Sequence, residues 1–122
     1  MRKLYIIFIF IIYFLACNKK VSLPEIDISV SEDGVVELPD NVPDIFKKYF
    51  VKYTKVTAPN GKPIHILAQD GWTNDQLKHG RNVLEHILTD FPGSTYGNNK
   101  KNVANSMSEK KATMVFFNTE PD

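Results

Sequence analysis

Five polar residues with chemistry to offer recur along one stretch of this chain: Asp75, His79, Asn82, His86 and Asp90. Read as a helix, the stretch carries them along one stripe, because residues three and four apart share a helical face. Two imidazoles and two carboxylates on one stripe are the ligand types of a zinc site. The spacing works against a single ion. His79 and His86 are seven residues apart, about 10.5 Å along the axis at a rise of about 1.5 Å per residue. Zinc–nitrogen bonds of about 2.0–2.1 Å cannot span that. His86 and Asp90 are one turn apart and could share an ion, but two ligands do not complete a site. The stripe therefore reads as the polar flank of a helix, with His79, His86 and Asp90 as its only metal candidates. No metal or other cofactor, and no catalytic residue, is expected.

Other chemistry is thinly represented. His65 stands alone in a strand-like run. The chain has no His-Glu-x-x-His, no Gly-x-Ser-x-Gly, no phosphate-binding loop and no paired-cysteine motif. Trp72 and Tyr96 flank the helix at turns, where they could line a pocket or cover the core edge.

The single cysteine, Cys17, has a different setting. Arg2 and Lys3 precede the apolar and aromatic run Leu4–Leu15. That run is too short for a spanning helix, which needs about 20 residues. It fits the apolar core of an export signal, about 7–15 residues behind a basic start. A lone cysteine outside the cytoplasm cannot form an internal disulfide, so it is free, intermolecular or modified. Phe14-Leu15-Ala16-Cys17 resembles the lipobox of bacterial lipoproteins, with Phe14 where leucine is usual. The resemblance implies cleavage before Cys17, a covalent lipid on its sulfur and membrane attachment through that lipid. Residues 1–16 are then a signal peptide, and the protein is a lipid-anchored component of the cell envelope. Asn18 stands where an aspartate would resemble an inner-membrane retention signal. In a cell with two membranes this favours the outer one.

The 122-residue chain without its signal is enough for one small domain. Loss of Arg2 and Lys3 turns the formal net charge of +1 slightly negative. No excess of positive charge remains to draw nucleic acid. Between Val21 and Asp44 lie Glu25, Asp27, Glu32, Asp33, Glu37, Asp40 and Asp44, no basic residue, and Pro24, Pro39 and Pro43. This composition predicts an extended, solvated tether over residues 17–44, with a short strand open near Glu25–Val30. No calcium-loop register is present.

The domain is expected over residues 45–122. A short helix should run to about Tyr49 and a strand from about Phe50 to Thr57. Ala58-Pro59-Asn60-Gly61 is a turn signal, and Pro63–Gln69 is the second strand of a hairpin. Its Ile64, Ile66 and Ala68 should share one face, with His65 and Leu67 on the other. Thr73 can cap a helix with Gln76 as its capping-box partner. That helix should run from Asn74 to about Asp90, where Pro92-Gly93 stops it. Leu77, Gly80, Val83, Leu84, Ile87, Leu88 and Phe91 form its apolar side, and Lys78, Arg81 and Glu85 lie opposite. A second helix, about Lys100–Glu109, and a buried strand, Ala112–Phe117, complete the pattern. Strand–helix–strand passage should place that last strand parallel to the second. The fold class is α+β: a small mixed sheet, made of a hairpin plus a strand reached by a helical crossover, with two helices on one face. Three strands and two helices make a thin core, as in a minimal domain or one truncated at its C-terminus.

From about Lys47 to Asn118 the chain resembles a loose group of secreted bacterial proteins of uncharacterised activity. The resemblance rests on Gly61-Lys62-Pro63-Ile64, on Leu77-Lys78-His79 followed by Asn82-Val83-Leu84, and on Ala112-Thr113-Met114-Val115. The pattern is similar to the front part of zincin-like metallopeptidase domains, which continue to a zinc-binding helix that this chain lacks. In that group an acidic loop follows the helix; here Asp90-Phe91-Pro92-Gly93 stands in its place. The expectation is a lipid-anchored protein with a non-catalytic domain that binds a protein or small ligand. The alternative is the N-terminal part of a zincin-like metallopeptidase.

Overall fold

The computed structural model describes residues 20–95 and 97–119. The expected signal peptide, Cys17 and Tyr96 lie outside the described residues. The elements follow the order β1 (Val36–Glu37), α1 (Asp44–Lys47), β2 (Lys52–Thr57), β3 (Pro63–Ala68), α2 (Asn74–Ile87), α3 (Lys100–Glu109) and β4 (Thr113–Phe116). The four strands form one mixed sheet in the order β1-β2-β3-β4. β1 and β2 are antiparallel, as are β2 and β3, whereas β3 and β4 are parallel. This is the expected α+β class, with the last strand parallel to the second strand of the hairpin.

The hairpin forms where its turn chemistry dictates. Gly61 takes φ +81° with open space around it, a backbone conformation that only glycine adopts at no cost. Ala58 and Lys62 close the turn through a 2.9 Å backbone bond, and the Asn60 side chain accepts from the Lys62 N–H at 3.0 Å. Asn60 also ties the turn to α3: its backbone N–H donates to Asn105 Oδ1 at 2.9 Å and its amide to Ser108 Oγ at 3.0 Å. Pro63 opens β3, where a missing N–H does least harm.

β3 is buried from Ile64 through Ala68, without the half-exposed alternation of a one-sided sheet. Both faces are therefore covered. On one face Val56, Ala58, Ile64, Ile66 and Ala104 pack with Leu84, Leu88, Met107 and Met114 beneath the two longer helices. On the other, Tyr53 and Leu67 pack with Ile26, Val42, Leu23, Leu38, Phe46 and Phe50.

That second cluster corrects the reading of residues 17–44 as a solvated tether. Ile26, Val35 and Val42 are 3%, 4% and 2% exposed, so the domain takes in the chain from Leu23 rather than from residue 45. Glu25, Asp27, Glu32, Glu37, Asp40 and Asp44 are exposed. The acids point to water while the interleaved apolar residues close the second face of the sheet. Burial of such side chains contributes about 1.5–3 kcal/mol each. The strand left open near Glu25–Val30 is not formed; Val36 and Glu37 pair with the sheet instead, opposite Tyr53 and Lys52.

In α2 the capping box forms: Gln76 N–H donates to Thr73 Oγ1 at 3.2 Å and Thr73 N–H to Gln76 Oε1 at 2.9 Å. The helix ends at Ile87, short of the expected Asp90. Its inward line is Leu77, buried, with Leu84 and Leu88 half-buried, whereas Val83, Ile87 and Phe91 are exposed. Arg81, expected on the outer side, falls one turn after Leu77 and turns inward. Its guanidinium donates to Thr54 Oγ1 at 3.0 Å, Asp33 O at 3.1 Å and Gly34 O at 3.3 Å. One side chain thus joins α2, β2 and the N-terminal segment. β4, expected to be buried, is an edge strand with Thr113 and Val115 exposed.

Candidate functional site

The helical stripe lies opposite the buried line of α2. Asp75, His79, Asn82 and His86 are exposed. Asp90 follows the helix end and is committed elsewhere, its Oδ1 accepting from the Lys100 N–H at 2.6 Å. An anionic acceptor at the start of α3 satisfies a backbone donor left free by helix geometry. His86 sets its ring edge-on to Phe91 at 5.3 Å between centroids. Among the described residues no group of three or more His, Cys, Asp or Glu side chains could hold a metal ion. His79, His86 and Asp90 are not brought together.

The imidazole that the fold does enclose is His65. Lys55 pairs with His65 and Tyr53 with Leu67 across the hairpin, which sets Tyr53 and His65 diagonally on one face. Tyr53 Oη and His65 Nδ1 lie 2.6 Å apart, with the residues fully and 95% enclosed (exposures 0% and 5%). Burial lowers the His65 pKa below its ordinary value of 6.5, and the Lys55 and Lys111 ammonium groups lower it further. Burial also raises the Tyr53 phenol, with a smaller push from Glu25. Both groups are thus held neutral at pH 7, joined by a hydrogen bond between Tyr53 Oη and His65 Nδ1. A neutral, hydrogen-bonded pair in a closed core positions strands. The hairpin register, once drawn, would have exposed this pair in the sequence.

Asp33 is the third concentrated polar centre. Its Oδ1 accepts from Ser31 Oγ at 2.6 Å and from Val35 N–H at 3.0 Å, and its Oδ2 from Asn74 Nδ2 at 3.0 Å. These bonds to the charged form, Ser31 first, lower its pKa to about 2. The carboxylate fastens the N-terminal segment to the start of α2.

An open cleft of about 480 Å³ lies at the carboxyl ends of the parallel strands, lined by Gly71, Trp72, Gln76, Asn118 and Thr119. Open α/β sheets commonly place ligands at this position, beside a helix N-terminus. Trp72 lines it, as the sequence allowed, and its ring packs edge-on to Phe116 at 4.8 Å. The polar groups here bind one another. Asn118 accepts from Gly71 N–H at 3.0 Å and donates to Asp70 Oδ1 at 2.9 Å, and Trp72 Nε1 donates to Phe117 O at 3.1 Å. A Cβ on Gly71 would come within 2.5 Å of Asn118 Oδ1, so glycine is required for this clasp. The arrangement holds the end of β4 against the β3–α2 turn and leaves an open hollow.

Compared with known proteins, the chain matches no family model, no curated protein and no solved structure.

Proposed function

We propose that the protein is a lipid-anchored component of the cell envelope whose folded domain binds a partner rather than performing catalysis. The order of residues 1–17 carries this reading: two cations, a twelve-residue apolar run, then Phe14-Leu15-Ala16-Cys17. The packed N-terminal segment adds a geometric consequence. The domain's core includes Leu23, so only residues 18–22 separate it from Cys17. Six extended steps reach about 20 Å, which keeps the domain close to the membrane surface. Lys19 and Lys20, within that spacer, suit anionic headgroups. In a cell with two membranes Asn18 favours the outer one. The binding role is supported by where the polar groups are spent: His65 on Tyr53, Asp90 on Lys100 and Asp33 on the N-terminal segment. Labelling cells with radioactive palmitate tests the anchor. Wild type should take up label and Cys17→Ser should not, since serine forms no thioether; equal label on both overturns the reading.

A second reading draws on the parallel pairing of β3 and β4 around α2, an order that would also suit the front of a zincin-like peptidase. Genomic sequence encoding an in-frame His-Glu-x-x-His after codon 122 would favour it.

A further inference from the structure

We infer that the exposed apolar strip of Ile45, Tyr49 and Val51, along α1 and the entry to β2, rests on the lipid bilayer that takes up the anchor. The domain then lies against the membrane in one orientation, with its helical face outward. This deepens the lipid-anchor reading of Cys17 and rests on it. Ile45, Tyr49 and Val51 are 59%, 53% and 41% exposed. Backbone bonds from Lys48, Tyr49 and Phe50 to Asp44 and Phe46 carry the helical turn of α1 onward. Ile45 and Tyr49, four residues apart, therefore share one side of it. Phe46 and Phe50 take the other side and pack into the core with Tyr53 and Leu67. Val51 ends the strip, where its N–H donates to Ala68 O at 2.9 Å and joins it to β3.

Where the chain leaves the domain selects what covers this strip. Leu23 packs in the same cluster as Phe46 and Phe50. Val21, 58% exposed, follows it out toward Cys17. Six extended steps from Cys17 to Leu23 reach about 20 Å, so this side of the domain is held within that distance of the bilayer. The helices α2 and α3 cover the opposite face of the sheet. Their exposed Ile87 and Val103 are turned away from the anchored side.

Charge is distributed to suit the same occupant. Lys48 Nζ stands 5.3 Å from the centroid of the Tyr49 ring, and Lys20 is exposed beside Val21. Asp44, next to Ile45, is paired with Lys47 at 3.4 Å. Glu25, Asp27 and Glu37 line a separate hollow to which α1 contributes no residue. Tyrosine places its ring in the membrane boundary and its hydroxyl among the headgroups, and lysine reaches past it to the phosphates.

The test uses the full-length chain, purified with its lipid and reconstituted in vesicles of phosphatidylethanolamine and phosphatidylglycerol. Ile45→Cys and Ile87→Cys, both at exposed positions, are labelled with bimane; wild type should take no label, because the lipidated Cys17 has no free thiol. Interfacial apolar segments sink about 5–10 Å into the headgroup boundary. Lipids brominated at that depth should quench the label at position 45 and leave that at position 87 unchanged. Adding Tyr49→Glu and Val51→Glu to Ile45→Cys should abolish the quenching, whereas adding Val103→Glu should not. Quenching that survives the two glutamates overturns the inference, since the tether alone would then bring position 45 to lipid. Lipidated chain with no quenching at position 45, or with equal quenching at 45 and 87, also overturns it and leaves the anchor standing. Chain that carries no lipid by mass overturns the anchor reading, and this inference with it.

Discussion

Acidification should loosen this domain through His65. The His65 pKa in the folded state lies below 6.5, first because of burial and then because of Lys55 and Lys111. The unfolded chain therefore binds a proton that the folded chain resists. Stability is fully present above about pH 6.5 and falls as the pH drops toward the folded-state value. One proton sets a ceiling of about 1.4 kcal/mol per pH unit on that slope. Asp27 and Asp33 are also lowered, the latter to about 2, from 3.8. Their contributions are lost only below about pH 4, outside the window. Urea unfolding at pH 7 and pH 5 should show the fall in wild type and its near absence in His65→Leu. At pH 7, Tyr53→Phe leaves His65 Nδ1 buried without its 2.6 Å partner, and should cost about 1–3 kcal/mol. The double variant Tyr53→Phe/His65→Leu should cost less than the sum of its parts, since removing both partners strands neither. An undiminished acid slope in His65→Leu, or strict additivity of the pair, refutes the account of this core.

Two further outcomes test the packing. Ile26→Ala should destabilise by about 2–4 kcal/mol in denaturant melts, where a solvated tether would give no effect. In the same preparation the first tryptic cuts should fall at Lys100 or Lys101, after the exposed residues 92–95 and 98–99, or before Leu23, and Arg81 should resist cleavage. Arg81→Ala should lower stability by about 1.5–3 kcal/mol through its lost charge-assisted bonds, and Arg81→Lys should restore little, because one ammonium cannot replace a planar fork spanning three acceptors. Thermal unfolding of the two variants decides this.

Much of the local structure was legible without coordinates, because short-range chemistry controls it. Asn60-Gly61 could only turn, Thr73 and Gln76 could only cap, and Pro92-Gly93 could only stop a helix; the elements follow these marks within a few residues. The parallel placement of β4 followed from the helical crossover that precedes it. The lipid-anchor reading of residues 1–17 rests on residue order alone and stands as a proposal. What the sequence left open depends on partners distant in the chain. Charge and proline content described the 21–44 stretch as solvated, yet whether Ile26 and Val42 stay in water depends on an uncovered sheet face, the face of Tyr53 and Leu67. Arg81 reads as a surface cation until the Gly34 carbonyl and the Thr54 hydroxyl stand within 3.3 Å of it. His79 and His86 invite a metal on a helical wheel, but the same wheel sets them on the polar flank, away from Leu77. The sheet agrees, burying Leu77 and leaving the histidines in solvent. Local propensity is a property of a few neighbouring residues, whereas burial is a property of whichever surfaces the whole chain brings together.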